Sequence, residues 1–402
     1  MHLPAVSASP AIILTLNGGS SSIRFAAFRV GSTLERVLDG KIDRIGLDGT
    51  TLKLAAGVGH GKERIPLDFS DPKSAAGFLV EWLRSREECR SISAVGHRIV
   101  HGMRHTRPQR ITRELLDDLH RIEPHDPEHL PVELELIESF QRHDSGVPQV
   151  ACFDTAFHAD MPRVARLLPI PRRYEALGVR RYGFHGLSYE SLMKELERSA
   201  GARLANGRLI LAHLGGGASM AAVRDGKSID TSMGFTPTAG LPMSTRSGDL
   251  DPGLAWFLEQ TEGMTPRQFS AMANRESGLR GISETSSDMR DLLAREATDV
   301  RAAEAVAIFC YEARKRIGAY AAALEGLDAL VFSGGIGENA PVVRERVCTG
   351  LGFLGIEIDA ARNTANAELI SSDASAISVR VIRSDEELTI ASSVARVLAL
   401  HS

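Results

Sequence analysis

Apolar runs along this chain alternate with short glycine-rich or polar segments, and their spacing predicts both strands and helices. The clearest run, Ile12 to Leu16, is followed by Asn17-Gly18-Gly19 and three serines, and apolar residues resume at Ile23. A continuous apolar run of this length is typical of a buried strand, and the glycines after it are typical of a tight turn. We therefore predict a strand, a turn and a second strand over residues 12–30.

The same plan recurs in the second half of the chain. Residues 209–223 contain an apolar strand, then His213-Leu214-Gly215-Gly216-Gly217, then a serine and another apolar strand. Glycines let a backbone approach a ligand closely, and the N–H groups of such a turn can donate to phosphate oxygens. A third apolar strand, 329–332, is predicted to lead into a similar turn at 334–337. The repeat predicts two related domains that bind one nucleotide.

Helical periodicity fills the intervals between these strands. Helices are predicted over 72–83, 112–122, 131–140, 301–325 and 388–400, together with one that Ser188 caps and that stops near Gly201. Further strands are predicted over 94–100, 150–153 and 377–382. The alternation of strands and helices indicates layered α/β domains, and 402 residues are too many for one ordinary core. The sequence therefore predicts a two-domain α/β protein.

Composition and charge narrow the class of protein. Apolar residues make up 43% of the chain and charged residues 24%, as in a globular protein. The net charge of −4 gives no general attraction to nucleic acid or to an anionic membrane, so local arginines must hold any anionic substrate. The four cysteines form no CxxC pair and are expected to be free thiols in a reducing cytoplasm. Residues 1–10 carry no basic patch, and the apolar run after them is too short for a signal or anchor, so we expect no membrane attachment.

Two arginines and the glycine segments are the first candidates for chemistry. No glycine segment matches the G-x-x-x-x-G-K-[ST] pattern, and the first lacks the G-x-G-x-x-G pattern of dinucleotide sites. Arg98 ends a predicted strand, and Arg246 lies in a loop of small residues beside Gly248 and Asp249. A guanidinium grips carboxylate or phosphate oxygens through paired N–H groups. A structural ion pair is the alternative for each arginine.

Three histidines are candidates because they lie beside glycines or in a proline-rich loop: His125, His185 and His213. Their spacing fits no common zinc pattern, so an imidazole that donates to phosphoryl oxygens is the better interpretation. Surface or core positions are the alternative.

Three oxygen-bearing side chains, Asn17, Asp154 and Glu386, lie at predicted strand or helix ends. Asp154 is open to three interpretations: a base, a group that positions water, or a helix cap. Glu386 also suits a helix N-terminus without any catalysis. Asn17 together with Glu386 would suffice for Mg²⁺, which keeps water and phosphate as its other ligands.

Taken in order, the motifs resemble the acetate kinase family of short-chain carboxylate kinases, within the actin, sugar kinase and Hsp70 ATPase superfamily. The resemblance covers nearly the whole chain. It is carried by Asn17-Gly-Gly-Ser-Ser-Ser, Gly96-His-Arg-Ile-Val-His-Gly, Phe153-Asp-Thr-Ala-Phe-His, Tyr182-Gly-Phe-His-Gly, His213-Leu-Gly-Gly-Gly-Ala-Ser, Asp230-Thr-Ser-Met-Gly-Phe-Thr-Pro, Thr245-Arg-Ser-Gly-Asp, Gly334-Gly-Ile-Gly-Glu-Asn and Glu386-Glu-Leu.

The resemblance implies two actin-like (ribonuclease H-like) domains of duplicated topology, with the active site in the cleft between them. The first domain would comprise residues 1–154 and 388–402, and the second residues 155–387. The implied reaction is ATP plus acetate giving ADP and acetyl phosphate, reversibly, with Mg²⁺ or alternatively Mn²⁺. A homodimer is also implied.

The family's functional residues map onto matching positions of this chain. The metal ligands would be Asn17 and Glu386, and the catalytic residues Arg98, His125, Asp154, His185 and Arg246. The nucleotide would contact Arg24, His213, Leu214, Gly215, Gly216, Gly217, Asp288, Met289, Arg290, Gly335, Ile336, Gly337, Glu338 and Asn339. The methyl group of the substrate would lie against Val100, Phe184 and Pro237. Acetate is already an anion at neutral pH, so we expect Asp154 to orient Arg98 and not to accept a proton.

Several positions depart from the family pattern. Arg24 stands where lysine is common, Gly216 where asparagine is common, and residues 123–127 read Glu-Pro-His-Asp-Pro instead of Ala-Pro-Leu-His-Asn-Pro. These changes bear on acyl-chain preference more than on the reaction. A propionate or butyrate kinase therefore stays open, as does an actin-like ATPase or sugar-binding regulator, which binding of sugars instead of acetate would reveal.

Overall fold

The computed structural model describes residues 11–19, 22–46, 49–55, 63–69, 71–89, 91–123, 126 and 129–400, without the side chains of residues 72 and 73. Its strands are β1 Ile12–Gly18, β2 Ser22–Val30, β3 Leu34–Asp43, β4 Thr51–Leu54, β5 Glu63–Pro66, β6 Ile92–Ile99, β7 Gln109–Arg110, β8 Gln149–Phe153, β9 Arg208–Leu214, β10 Ala218–Arg224, β11 Lys227–Thr231, β12 Ala329–Ser333 and β13 Ser378–Val381. Its α-helices are α1 Pro72–Ser85, α2 Arg113–Ile122, α3 Leu130–His143, α4 Arg163–Arg166, α5 Gly186–Ala200, α6 Ala202–Ala205, α7 Gly253–Glu262, α8 Pro266–Ala271, α9 Gly278–Ser283, α10 Met289–Arg295, α11 Val300–Ala323, α12 Gly334–Asn339, α13 Pro341–Cys348, α14 Ala360–Thr364 and α15 Glu386–Val397.

The chain divides into two compact units. The first comprises Met1–Ala156 and Asp385–Ser402, and the second Phe157–Ser384. The sequence placed these limits at residues 154 and 387, so Glu386 and its neighbours, assigned there to the second domain, lie in the first unit of the structure.

The first unit is built on a sheet of eight described strands in the order β5-β4-β3-β2-β1-β6-β8-β7. Strand β1 is buried along its whole length, which explains why its sequence is mostly apolar and not alternating. It pairs antiparallel with β2 and parallel with β6. The two strands predicted within residues 12–30 are confirmed, while residues 20 and 21 of the predicted turn lie outside the described residues.

The second unit repeats this arrangement in a sheet of five described strands, β11-β10-β9-β12-β13. Strand β9 pairs antiparallel with β10 and parallel with β12, as β1 does with β2 and β6. The two glycine segments that look alike in the sequence therefore follow strands that pair in the same way in the two sheets.

The last helix, α15, packs on the sheet of the first unit. A Cβ at Gly96 of β6 would lie 2.5 Å from Cγ2 of Ile390 and 2.6 Å from Cγ2 of Val394, so only glycine admits the helix at this distance. This close packing fixes the start of α15, and with it Glu386, relative to β1 and β6.

Two local predictions are wrong. Ser188 does not cap α5, because the helix begins at Gly186 and His185 occupies the cap position with φ 60°. The segment after β12 is the short helix α12 and not a turn.

In the part of the chain that the structure describes, no helix is long and apolar enough to cross a membrane.

Candidate active site

Polar side chains gather where three parallel strands of the first unit end. Asn17 lies near the end of β1, Arg98 near the end of β6, and Asp154 directly follows β8. Parallel strands end at a common edge of the sheet, where ligands of α/β proteins bind. The sequence identified all three residues, and the structure brings them together.

Arg98 is held on two sides in this group. Its Nε and one terminal nitrogen donate to Oδ2 of Asp154 at 2.9 and 2.6 Å, and the other terminal nitrogen donates to Oδ1 of Asn17 at 3.2 Å. The side chain of Asp154 is 1% exposed and that of Arg98 is 15% exposed. Burial alone would lower the pKa of Arg98, but the charges of Asp154 and Glu386 outweigh it and raise that pKa above its ordinary value. Asp154 therefore fixes the guanidinium while part of it stays accessible.

Glu386 joins the same group from the first position of α15. Oε2 of Glu386 accepts a hydrogen bond from Nδ2 of Asn17 at 2.9 Å. Burial raises the pKa of Glu386; Arg98 opposes that rise, and Asp154 adds to it. The helix cap is a different residue, Asp385, which accepts from the backbone N–H of Leu388 at 2.9 Å. Capping therefore does not account for Glu386.

This group holds three carboxylates, those of Asp154, Glu386 and Glu387, against the one guanidinium of Arg98. Burial and the charge of Glu386 raise the pKa of Glu387, the next residue of α15. Oδ1 of Asp154 and Oε1 of Glu387 are buried without a hydrogen-bond partner among the described residues. No group of three or more His, Cys, Asp or Glu side chains in the described ranges could enclose a metal. An oxygen-rich site with few protein ligands and excess negative charge fits Mg²⁺, which keeps several waters.

Arg24, Val100 and His125 complete the predicted residues of the first unit. Arg24 pairs with Asn17 across β1 and β2, and its charge opposes the rise that burial causes in the pKa of Glu386. Val100 is buried at the end of β6, where its backbone N–H donates to a carboxylate oxygen of Glu133 at 3.0 Å. His125 lies outside the described residues.

The second unit brings two glycine segments against each other. The turn between β9 and β10 closes with a bond of 3.0 Å from the N–H of Gly215 to the carbonyl of Gly217. A Cβ at Gly215 would lie 3.6 Å from the backbone nitrogen of Gly335 and 3.8 Å from Nε2 of His213. Gly334 has φ +77°, and a Cβ there would lie 2.6 Å from the carbonyl oxygen of Leu214. The predicted phosphate segment and the start of α12 are therefore neighbours.

His185 stands beside this turn. Its Nδ1 lies 2.9 Å from Oγ of Ser219, and its ring centre lies 4.4 Å from that of His213. A Cβ at Gly217 would lie 3.1 Å from Nε2 of His185 and 3.8 Å from a terminal nitrogen of Arg246. The imidazole and the guanidinium therefore flank the open side of Gly217.

Arg246 is positioned by its own loop. A terminal nitrogen donates to the carbonyl of Pro237 at 3.2 Å. Asp249 ties the loop down, since its Oδ1 accepts from the N–H of Gly240 at 2.8 Å and its Oδ2 accepts from Arg316 of α11 at 2.8 Å. The structure thus places Pro237 of the predicted methyl pocket directly against Arg246.

The remaining predicted residues of the second unit have local contacts. Asp288 caps α10, accepting from the N–H of Arg290 at 2.9 Å, and the Arg290 side chain lowers the pKa of Asp288. Met289 is buried. Phe184 is buried, and its carbonyl accepts from Nε2 of His158 at 3.1 Å. Five of the predicted nucleotide residues lie within α12: Gly335, Ile336, Gly337, Glu338 and Asn339.

Inside α12, Glu338 accepts from the N–H of Gly334 at 3.0 Å, Gly337 accepts from Arg344 at 2.8 Å, and Asn339 donates to the carbonyl of Gly335 at 3.0 Å. These contacts join the two ends of α12 and connect it to α13.

Sequence reasoning missed three polar residues beside the histidines. Ser188 lies 2.8 Å from Nδ1 of His213, and Tyr189 and Ser219 lie beside His185. The available signal was the spacing His185, Ser188 and Tyr189, which puts the three on one side of a helix turn.

Two α/β units of one topology, each with arginine or imidazole donors beside glycine turns, define a phosphotransferase of the actin-like class. The model of the Acetokinase family matches residues 12–392, and the chain belongs to that family. It is 43% identical over 390 residues to an acetate kinase of Methylocella silvestris, covering 94% of this chain and 96% of that protein. It is 41% identical over 391 residues to a propionate kinase of Citrobacter rodentium, covering 96% of each.

Solved structures agree. The crystal structure of Porphyromonas gingivalis acetate kinase is similar with a TM-score of 0.85 at 36% identity, covering 96% of this chain and 100% of that one. A propionate kinase from Francisella tularensis has a TM-score of 0.89 at 34% identity, covering 96% and 99%.

Proposed function

We propose that this chain is an acetate kinase, which transfers the γ-phosphoryl group of ATP reversibly to acetate to give acetyl phosphate and ADP. Family membership and the acetate kinases at 40–44% identity support the reaction. The observation that carries the proposal is the pair of donors around Gly217, Nε2 of His185 and the guanidinium of Arg246. In an acyl phosphate synthesis, these donors would face the oxygens of the group in transfer.

Phosphoryl transfer needs alignment of the reacting groups and neutralisation of their charge more than it needs covalent catalysis. Arg98 and Arg246 bind the carboxylate and the phosphoryl group, and His185 donates to a phosphoryl oxygen. Acetate arrives deprotonated, so no base is needed. Asp154 holds Arg98 instead, as its two contacts of 2.6 and 2.9 Å suggest.

The nucleotide and metal assignments belong to the same proposal. Asn17 and Glu386 would hold Mg²⁺ or Mn²⁺, which when bound neutralises charge on the nucleotide phosphates. His213 and the glycines of the β9–β10 turn would contact the phosphates, with α12 and the start of α10 around the adenosine. Support comes from the closeness of Gly215 to Gly335 and to His213.

A cytoplasmic homodimer completes the proposal. All four cysteines are free and buried, and burial raises the pKa of Cys89 and Cys348 to about 12, as suits thiols kept reduced. Helix α7 has no buried residue and exposes Trp256 by 66% and Phe257 by 54%. An exposed apolar face of this kind is typical of a subunit interface.

A propionate kinase is the second candidate, because propionate kinases stand among the relatives at similar identity. The deciding experiment traps the acyl phosphate as its hydroxamate, with ATP, Mg²⁺ and acetate, propionate or butyrate in turn. The highest kcat/KM with acetate supports the proposal, and a higher value with propionate replaces it with the second candidate. ATP hydrolysis without hydroxamate from any acid overturns both. A parallel purification from host cells that do not produce this protein controls for contaminating host enzyme.

A further inference from the structure

A hydroxyl chain of two buried residues leads to His185. Tyr189 and Ser219 are both 0% exposed. The hydroxyl of Tyr189 lies 2.5 Å from Oγ of Ser219, which in turn lies 2.9 Å from Nδ1 of His185. Tyr189 is in the first turn of α5 and Ser219 is on β10, so the chain connects two elements that both border the glycine turn.

The order of donors along this chain decides where His185 carries its proton. A serine hydroxyl has one proton to give, and a phenol is the more acidic and therefore stronger donor of the two hydroxyls. When Tyr189 donates to Ser219, the serine proton is directed to Nδ1 of His185. A neutral imidazole whose Nδ1 accepts must carry its proton on Nε2.

That Nε2 is the atom on the substrate side. It lies 3.1 Å from the position that a Cβ at Gly217 would take, next to Arg246. The backbone of His185 also has to be held, since φ 60° is a conformation that residues other than glycine rarely adopt. Contacts at both ends of the residue, the helix behind it and Ser219 at its ring, therefore determine the direction of Nε2.

We propose that Tyr189 and Ser219 are positioning residues that hold His185 neutral, with its proton on Nε2 aimed at the phosphoryl group. The inference rests on the proposed function for the identity of that group, but the position of the proton can be measured separately. Neither residue touches the reacting atoms. Both act through the orientation of one imidazole, so they are expected to affect turnover and not substrate binding.

The kinetic test uses Ser219→Ala and Tyr189→Phe, with Ser219→Thr as the conservative variant that keeps a hydroxyl. Ser219→Ala is expected to lower kcat about 10- to 100-fold, the range seen when a partner that orients a functional histidine is lost. KM for acetate and for ATP should stay within about twofold of the wild-type values, and Ser219→Thr should recover part of kcat. Tyr189→Phe should lower kcat less, because Ser219 remains.

A second buried pair of histidine and serine in this protein provides a matched control for the loss of stability. Nδ1 of the buried His158 lies 2.8 Å from Oγ of Ser228, a pair of the same chemistry in the same unit. Ser228→Ala should lower the melting temperature about as much as Ser219→Ala but leave kcat near wild type. If the two variants lose stability and kcat equally, the positioning role is overturned.

The spectroscopic test needs no turnover. In full-length protein with ¹⁵N-labelled histidine, the His185 signals are assigned by their loss in His185→Gln. Wild-type protein at neutral pH should show a protonated Nε2 and an accepting Nδ1, and Ser219→Ala should show a mixture of tautomers. A wild-type spectrum with the proton on Nδ1 overturns the inference. The expected spectrum in a protein that makes no acyl phosphate would overturn the proposed function alone.

Discussion

Replacement of Asp154 by asparagine tests whether this carboxylate only fixes Arg98. Asparagine keeps the shape and one acceptor oxygen, but it removes the charge that faces the guanidinium at 2.6 and 2.9 Å. Breaking a buried ion pair costs about 3 to 5 kcal/mol, and we expect about 3 kcal/mol because Glu386 still faces Arg98. Relief of the repulsion between Asp154 and Glu386 also acts toward the lower end of that range.

The matched control is Asp328→Asn. Asp328 accepts from Arg208 at 2.7 and 3.0 Å, but the two side chains are 36% and 38% exposed. Exposed pairs contribute only about 0.2 to 1 kcal/mol, so the same substitution should change stability much less there. Urea unfolding of both variants measures the difference. If Asp154→Asn lowers the free energy of unfolding by less than about 1 kcal/mol, burial does not strengthen the contribution of this ion pair to stability.

The same variant separates the two roles considered for Asp154. As the residue that orients Arg98, its replacement should lower kcat/KM for acetate by about 100-fold, the scale of losing one preorganised donor. The loss should be the same at every pH. A general base would instead leave its own ionisation in the pH profile, and loss of an inflection in Asp154→Asn would overturn the orienting role.

Three further outcomes are expected. Arg246→Ala should lose about 3 kcal/mol of transition-state stabilisation, roughly 100-fold in kcat/KM, with Arg246→Lys recovering only part of it in the hydroxamate assay. Burial lowers the pKa of His97 and of His158 to about 4. The unfolded chain therefore binds more protons between pH 6.5 and 4, so stability should be full above pH 6.5 and fall by roughly 3 kcal/mol per histidine toward pH 4 in urea titrations. Trp256→Glu with Phe257→Glu should convert the proposed dimer to a monomer, as measured by light scattering.

Each of these has a contrary result. Near-normal turnover of Arg246→Ala would remove Arg246 from the mechanism. Constant stability from pH 7 to pH 4.5 would mean that the two buried histidines are solvated on titration. A monomeric wild-type protein, or a dimer unaffected by charges on α7, would place any interface elsewhere.

The sequence predicted the elements whose pattern is local. Strand β1 is buried on both faces, so its composition alone marks it, and the repeat at β9 follows for the same reason. Asn17 and Arg98 could be selected because residues at strand ends share one edge of a sheet. The residues at strand ends can thus be predicted from the sequence, even though the partners of their side chains cannot.

The sequence did not predict features that depend on distant partners. Three of the six residues of helix α12 are glycines, which have poor helix propensity, and the side chain of Glu338 accepts from the N–H of Gly334 at its start. Tyr189 and Ser219 are thirty residues apart, on a helix and on a strand, and nothing in the sequence connects them. Only the fold shows that their hydroxyls meet beside His185.

Asp154 shows how geometry favours one of several roles that the residue type leaves open. Its position after a strand allowed a base, a water-positioning group or a helix cap. In the fold, Oδ2 of Asp154 takes two donors from one guanidinium, an arrangement that fixes the direction of Arg98. A base would need an oxygen directed at a proton that must be removed, and acetate at neutral pH offers none. The contacts of Asp154 and the ionisation of the substrate therefore lead independently to the same role.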